Sequence, residues 1–165
     1  MASTPLPAQV SIYFRPSLNG NQHEGDEIMS ENFSTTAPLA LVVDDDRLVR
    51  AQLNTHLGSY GFRIEESKTA YEAIQAAAIR RPSVILLDGL LPQMHGFEVA
   101  RMINALDVEY KPNIVMMTAI YKHIRYRNEA RLKYGITDYL VKPLDLMELD
   151  QVLGLKPAML TKIAS

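Results

Sequence analysis

With 165 residues, 47% of them apolar and 22% charged, and a formal net charge of -2, the chain can build one domain with a proper core and has no bulk attraction to nucleic acid or to an anionic membrane. It contains no cysteine, which excludes disulfides, thiol catalysis and cysteine-ligated zinc, and its four histidines are scattered without metal-ligand spacing. No apolar run approaches the roughly 20 residues needed to span a bilayer, and the N-terminus lacks the order of a signal peptide, so a cytoplasmic protein is expected.

Residues 1–37 are rich in Ser, Thr, Pro, Gly, Asn and Glu and are expected to form a disordered extension. A domain is expected over 38–156, followed by a short tail, 157–165. Leu39 to Val43 is an apolar run closing on Asp44, Asp45 and Asp46, which predicts a buried strand ending in carboxylates. Arg47 to Tyr60 carries Leu48, Ala51, Leu53 and Leu57 at helical spacing, with Asp46 as N-cap and Gly61 as the stop. Phe62 to Ser67 reads as a strand, and Thr69-Ala70-Tyr71-Glu72 as a capping box opening a helix through Arg80.

Val84-Ile85-Leu86-Leu87 follows the breaker Pro82 and stops at Asp88-Gly89, the pattern of a strand buried on both faces. By itself Asp88 is equally well read as a turn former or helix cap. Gly96 introduces a helix from Phe97 to about Leu106. Asn113 to Met117 is a strand ending at Thr118, Lys122 to Tyr134 a basic helix, and Asp138 to Val141 a strand ending at Lys142-Pro143. A last helix is expected from Leu146 to Leu155. Five strands alternating with five helices imply an α/β fold: a parallel sheet, covered on both faces, with right-handed crossovers.

The strand ends carry the chemistry. Asp44 and Asp45 follow the first strand, Asp88 the third, Thr118 the fourth and Lys142 the fifth, all at the carboxyl edge, where open α/β sheets bind ligands. Two carboxylates about 4 Å apart repel by about 4 kcal/mol at an effective dielectric near 20, so such a cluster needs a proton or a divalent cation. Oxygen-only ligands suit Mg²⁺ or Mn²⁺ better than zinc. With its charge screened, Asp88 can attack phosphorus, while a lysine and a hydroxyl complement a phosphoryl group.

These motifs resemble the receiver domain of two-component response regulators: Val43-Asp44-Asp45, Leu87-Asp88, Pro92 with Gly96, Thr118-Ala119 and Lys142-Pro143, spread between Leu39 and Leu155. The resemblance implies a doubly wound, flavodoxin-like, five-stranded sheet of order 2-1-3-4-5. It implies Asp88 as phosphoryl acceptor and Mg²⁺ (or Mn²⁺) bound by Asp45, Asp88 and the backbone carbonyl of Leu90, with Asp44 acting largely through water. Thr118 follows the phosphoryl group, Ala119 leaves access to it, Lys142 pairs with it through a cis bond to Pro143, and Tyr139 occupies the aromatic switch position. The implied function is a phosphorylation-activated switch, not a metabolic enzyme. Its implied partners are a sensor histidine kinase or histidine phosphotransfer protein, a downstream effector protein and, on phosphorylation, a second copy of the chain; neither nucleic acid nor membrane is a direct partner.

Three departures stand out. His95 replaces the acid usual before Gly96, either as a plain surface imidazole or as a group tuning the site. Leu90 and Ile120 stand where polar side chains often assist the hydrolytic water, which predicts a long-lived phosphoryl group. The segment Ile120 to Tyr134 is longer than usual and basic, a solvated face or a docking surface. Tyr139 also reads as a half-buried edge aromatic. Two alternatives remain: a haloacid dehalogenase-like phosphohydrolase using Asp44 as nucleophile and Asp46 as acid or base, and a pseudo-receiver that binds partners without being phosphorylated. The hydrolase lacks an evident later acidic pair and cap insertion.

Overall fold

Alternation along each strand dictates the architecture. The computed structural model describes residues 37–119 and 133–156. Within them, β1 (Leu39–Val43), β2 (Arg63–Ser67), β3 (Val84–Asp88), β6 (Asn113–Thr118) and β7 (Asp138–Val141) form one parallel sheet in the order β2-β1-β3-β6-β7. Counting only these five strands, this is the expected 2-1-3-4-5. Val43 stands opposite Ser67 on one side and Leu87 on the other, Leu87 opposite Met116, and Met116 opposite Tyr139.

Successive side chains point to opposite faces, so the sheet divides the core in two. Leu41, Val43, Ile85, Leu87, Ile114 and Met116 pack on α2 (Ala70–Arg80) and α3 (Gly96–Asn104). Ala40, Val42, Val84, Leu86, Val115 and Met117 pack on α1 (Arg47–Ser59) and α4 (Leu146–Leu153). Strand β3 is central and buried throughout, including Asp88 at 5% exposure. That explains a run with no polar alternation.

Helix ends follow local chemistry. Asp46 caps α1 by accepting the Leu48 amide at 2.8 Å. Thr69 caps α2 by accepting the Glu72 amide, while Glu72 reaches back to the Lys68 amide at 2.9 Å, one residue beyond the Thr69 amide that a capping box would use. The end of α2 is unusual: Arg81 adopts φ +50 without being glycine. Pro82 bars the helical conformation there, and the Arg81 guanidinium is held by Asp107 at 2.7 Å and lies over the Tyr110 ring at 4.8 Å.

Four departures from expectation are local. A small antiparallel ribbon, β4 (Leu90–Leu91) with β5 (Met94–His95), follows β3; its pairs are too short to show a period. Helix α3 ends at Asn104, two residues before Leu106. Helix α4 ends at Leu153 because Gly154 takes φ +66 and donates back to Gln151, well before Pro157. Tyr139 is 2% exposed rather than half-buried. The expected basic helix, apart from Lys133 and Tyr134, lies outside the described residues, as do 1–36 and 157–165. Four helices are therefore seen among the described residues, and none of these is long and apolar enough to cross a membrane.

Candidate functional site

The carboxyl edge of the sheet brings its acids together because β1 and β3 are neighbours in register. Carboxylate oxygens of Asp44, Asp45 and Asp88 lie within 4.8 Å of one another. Asp44 is fully buried and Asp88 nearly so, whereas Asp45 is exposed. The amide of Asp44 donates to the Ser67 carbonyl at 3.1 Å, extending the β1–β2 pairing by one residue, and the Asp46 amide donates to Asp44 Oδ1 at 3.0 Å.

Lys142 enters from β7, whose carboxyl end lies beyond β6. Its Nζ donates to Asp44 Oδ2 at 2.7 Å and stands 3.2 Å from Asp88 Oδ1. Its backbone amide donates to the Thr118 carbonyl at 3.2 Å, and the bond to Pro143 is cis. Burial pushes the Asp44 carboxyl above the ordinary aspartate range, and nearby Asp88 adds to this, against the lowering effects of Lys142 and the Asp46 amide. For Lys142, burial acts to lower the ammonium, but the hydrogen bond and charge of Asp44, with Asp88 beside it, raise it above the ordinary lysine value. One ammonium stands against two of the three acids. The remaining negative charge and the all-oxygen donor set fit a small divalent cation.

The turn after Asp88 is built on glycine. Gly89 donates to the Met117 carbonyl at 2.8 Å, and a Cβ there would lie 3.1 Å from both Cβ and Oγ1 of Thr118. Thr118 is thus buried against the backbone that carries Asp88, at 1% exposure. Ala119 is exposed just beyond it. Leu90 opens the β4–β5 ribbon opposite His95 and is 41% exposed. Gln93, at φ +72, follows Pro92 in the tight turn. His95 is exposed and makes no side-chain cap bond to α3. Ile120 lies outside the described residues.

Tyr139 packs in the core on the α2–α3 side of the sheet. Two contributors to the edge carry little signal in the sequence. Arg50, one turn into α1, donates to the carbonyls of Asp44 and Asp45 and to Glu66, and Glu66 is brought there only by its register with Val42. The clue available in sequence is Arg50 lying five residues after Asp45, within reach back over the first helical turn.

Fold and edge define a class: a doubly wound α/β domain with clustered acids and a lysine at the carboxyl edge of its sheet. The family model for the response regulator receiver domain matches residues 40–154, and the chain belongs to that family. Response regulator MprA of Mycobacterium sp. (strain KMS) is 36% identical over 109 residues, which are 66% of this chain and 46% of the relative. The chain thus spans about half the length of the curated relatives it matches. Among solved structures, the chemotaxis response regulator CheY4 of Vibrio cholerae is 29% identical with a TM-score of 0.63, over 71% of this chain and 99% of that one. The receiver domain of sensor histidine kinase PA1611 from Pseudomonas aeruginosa PAO1 is 28% identical with a TM-score of 0.61, over 71% and 94%, and carries a magnesium ion in its active-site cleft. The chain is a receiver domain of the response regulator kind, which is consistent with a phosphorylation-activated signalling switch. These comparisons lend no support to the dehalogenase-like hydrolase or to the pseudo-receiver.

Proposed function

We propose that Asp88 accepts a phosphoryl group from a sensor histidine kinase or histidine phosphotransfer protein, and that the modified chain presents an altered surface to an effector protein. One observation carries this reading: the carboxylates of Asp44, Asp45 and Asp88 lie within 4.8 Å of one another at the carboxyl edge of the sheet, with Lys142 on Asp44 and Asp88. Asp45, Asp88 and the Leu90 carbonyl would hold Mg²⁺, with Asp44 acting through water. When bound, the cation supplies charge neutralisation for an anionic nucleophile meeting an anionic phosphoryl group.

The chain's own groups do the rest. An Asp88 carboxylate oxygen forms the new bond to phosphorus as the bond from phosphorus to the donor's histidine nitrogen breaks, and that nitrogen keeps the electron pair. Lys142, already 3.2 Å from Asp88, supplies a cation for the arriving phosphoryl oxygens. The Thr118 hydroxyl donates to the same group, Ala119 leaves room for the donor, and Tyr139, on the same face of the sheet as Thr118, answers its movement. Leu90 supplies no polar group to orient a hydrolytic water, so the phosphoryl group is long-lived. The chemistry is self-directed, and the setting we propose is the cytoplasm.

The test is intact-protein mass after incubation with acetyl phosphate and Mg²⁺. We expect one phosphoryl addition that requires the metal and is abolished by Asp88→Asn. Absence of addition from a cognate kinase as well would leave a partner-binding pseudo-receiver. Addition that survives Asp88→Asn but fails in Asp44→Asn would point to the hydrolase.

A further inference from the structure

We infer that Arg50 is a positioning residue for the cation site, a fork that fixes the backbone of Asp44 and Asp45 so that their carboxylates and that of Asp88 face one divalent ion. The inference rests on the proposed Mg²⁺ site. Past the last paired residues, Val43 and Ser67, Asp44 keeps one backbone bond to β2, its amide to the Ser67 carbonyl, and Asp45 lies on the loop leading into α1. Arg50 Nη1 donates to the Asp44 carbonyl at 2.8 Å and to the Asp45 carbonyl at 3.2 Å. Its Nε donates to Glu66 Oε2 at 3.1 Å, and Asn54 Nδ2 holds the other Glu66 oxygen at 2.7 Å. A planar guanidinium with fixed donor directions, pinned on one side by a carboxylate, transmits its orientation to both carbonyls.

The alternative is electrostatic, and it differs in sign. Glu66 already compensates the Arg50 charge, and a cation this near an Mg²⁺ site weakens binding by simple repulsion. Removing Arg50 should therefore tighten Mg²⁺ binding if charge dominates and loosen it if positioning dominates.

The experiment is an Mg²⁺ titration of the full chain, followed by amide chemical shifts near Asp88, with metal-free thermal unfolding run in parallel. We expect Arg50→Ala to raise the Kd for Mg²⁺ about tenfold, the lower end of what loss of an outer-shell partner costs. Arg50→Lys, which keeps the charge but cannot span two carbonyls and Glu66, should recover only part of the loss. An unchanged or tighter Kd in Arg50→Ala overturns the inference, and so does a lower Tm with an unchanged Kd. If Arg50→Ala does not fold, Arg50→Lys is read alone: with the charge kept, weaker Mg²⁺ binding supports the fork and unchanged binding overturns it. Failure of the wild type to bind Mg²⁺ would instead refute the metal site itself, and the fork's role with it.

Discussion

Gly96 shows how closely single atoms are specified beside Asp88. Its amide donates to the Gly89 carbonyl at 3.1 Å, which brings the first turn of α3 against the turn that follows β3. A Cβ at position 96 would fall well inside van der Waals contact distance of the Asp88 carbonyl oxygen and 3.0 Å from both Gly89 Cα and Met116 Sδ. The methionine can swing aside, but the two backbone contacts cannot. Gly96→Ala should therefore cost about 1–3 kcal/mol, the usual range for overpacking. Urea unfolding measures it, and a cost below 0.5 kcal/mol or so would show that the Asp88 turn yields more readily than a packed core does. Gly89 is a gentler case: the nearest atoms its Cβ would meet among the described residues are Thr118 at 3.1 Å and the Met117 carbonyl at 3.5 Å.

Helix α4 is the element most dependent on a few contacts. It has eight residues, too few to persist alone, and Leu149 is its one fully buried side chain. Asp145 caps its start by accepting the Met147 amide at 2.8 Å. Asp150 ties it to α1, with one oxygen 2.7 Å from His56 Nε2 and the other accepting from the Tyr60 hydroxyl at 2.6 Å. Asp150→Ala should speed hydrogen exchange in α4 at least severalfold while leaving β3 amides protected, and should lower Tm by a few degrees. Unchanged exchange in α4 would mean that Leu149 and its apolar neighbours suffice. The sequence displays β1, β3 and β6 through unbroken apolar runs. The convergence of Asp44, Asp88 and Lys142 is legible for the same reason, since each ends a strand. The Asp150 latch, the Arg50 fork and the β4–β5 ribbon are not legible. They depend on which elements become neighbours, or on pairings too short to leave a period.

At the scale of the whole molecule, the end of the sheet opposite the acids is closed by Tyr110. Its hydroxyl donates to the Pro82 carbonyl at 2.9 Å, and burial pushes the phenol up to about 12, against the lowering charge of Arg81. The unfolded chain releases this proton near the ordinary tyrosine value of about 10. Stability from the buried, neutral phenol is therefore complete below pH 10 and is lost as the pH rises from about 10 towards 12. Tyr110→Phe should lower stability modestly at neutral pH by removing one hydrogen bond, yet flatten the alkaline limb of Tm against pH. An alkaline limb equally steep in Tyr110→Phe would assign it to other groups.

The division of the core has one more consequence. Along β3, Asp88 shares the parity of Val84 and Leu86, whose face α1 and α4 cover, and its neighbours Asp44 and Lys142 directly follow β1 and β7. Thr118 shares the parity of Ile114 and Met116, and with Tyr139 it belongs to the opposite face. The sheet is thus a partition between the two helix pairs, and Gly89 lies against Thr118 at its carboxyl edge. If Asp88 is phosphorylated as proposed, bulk added at Gly89, where a Cβ would already meet Thr118 at 3.1 Å, should uncouple that chemistry from the face that holds Tyr139.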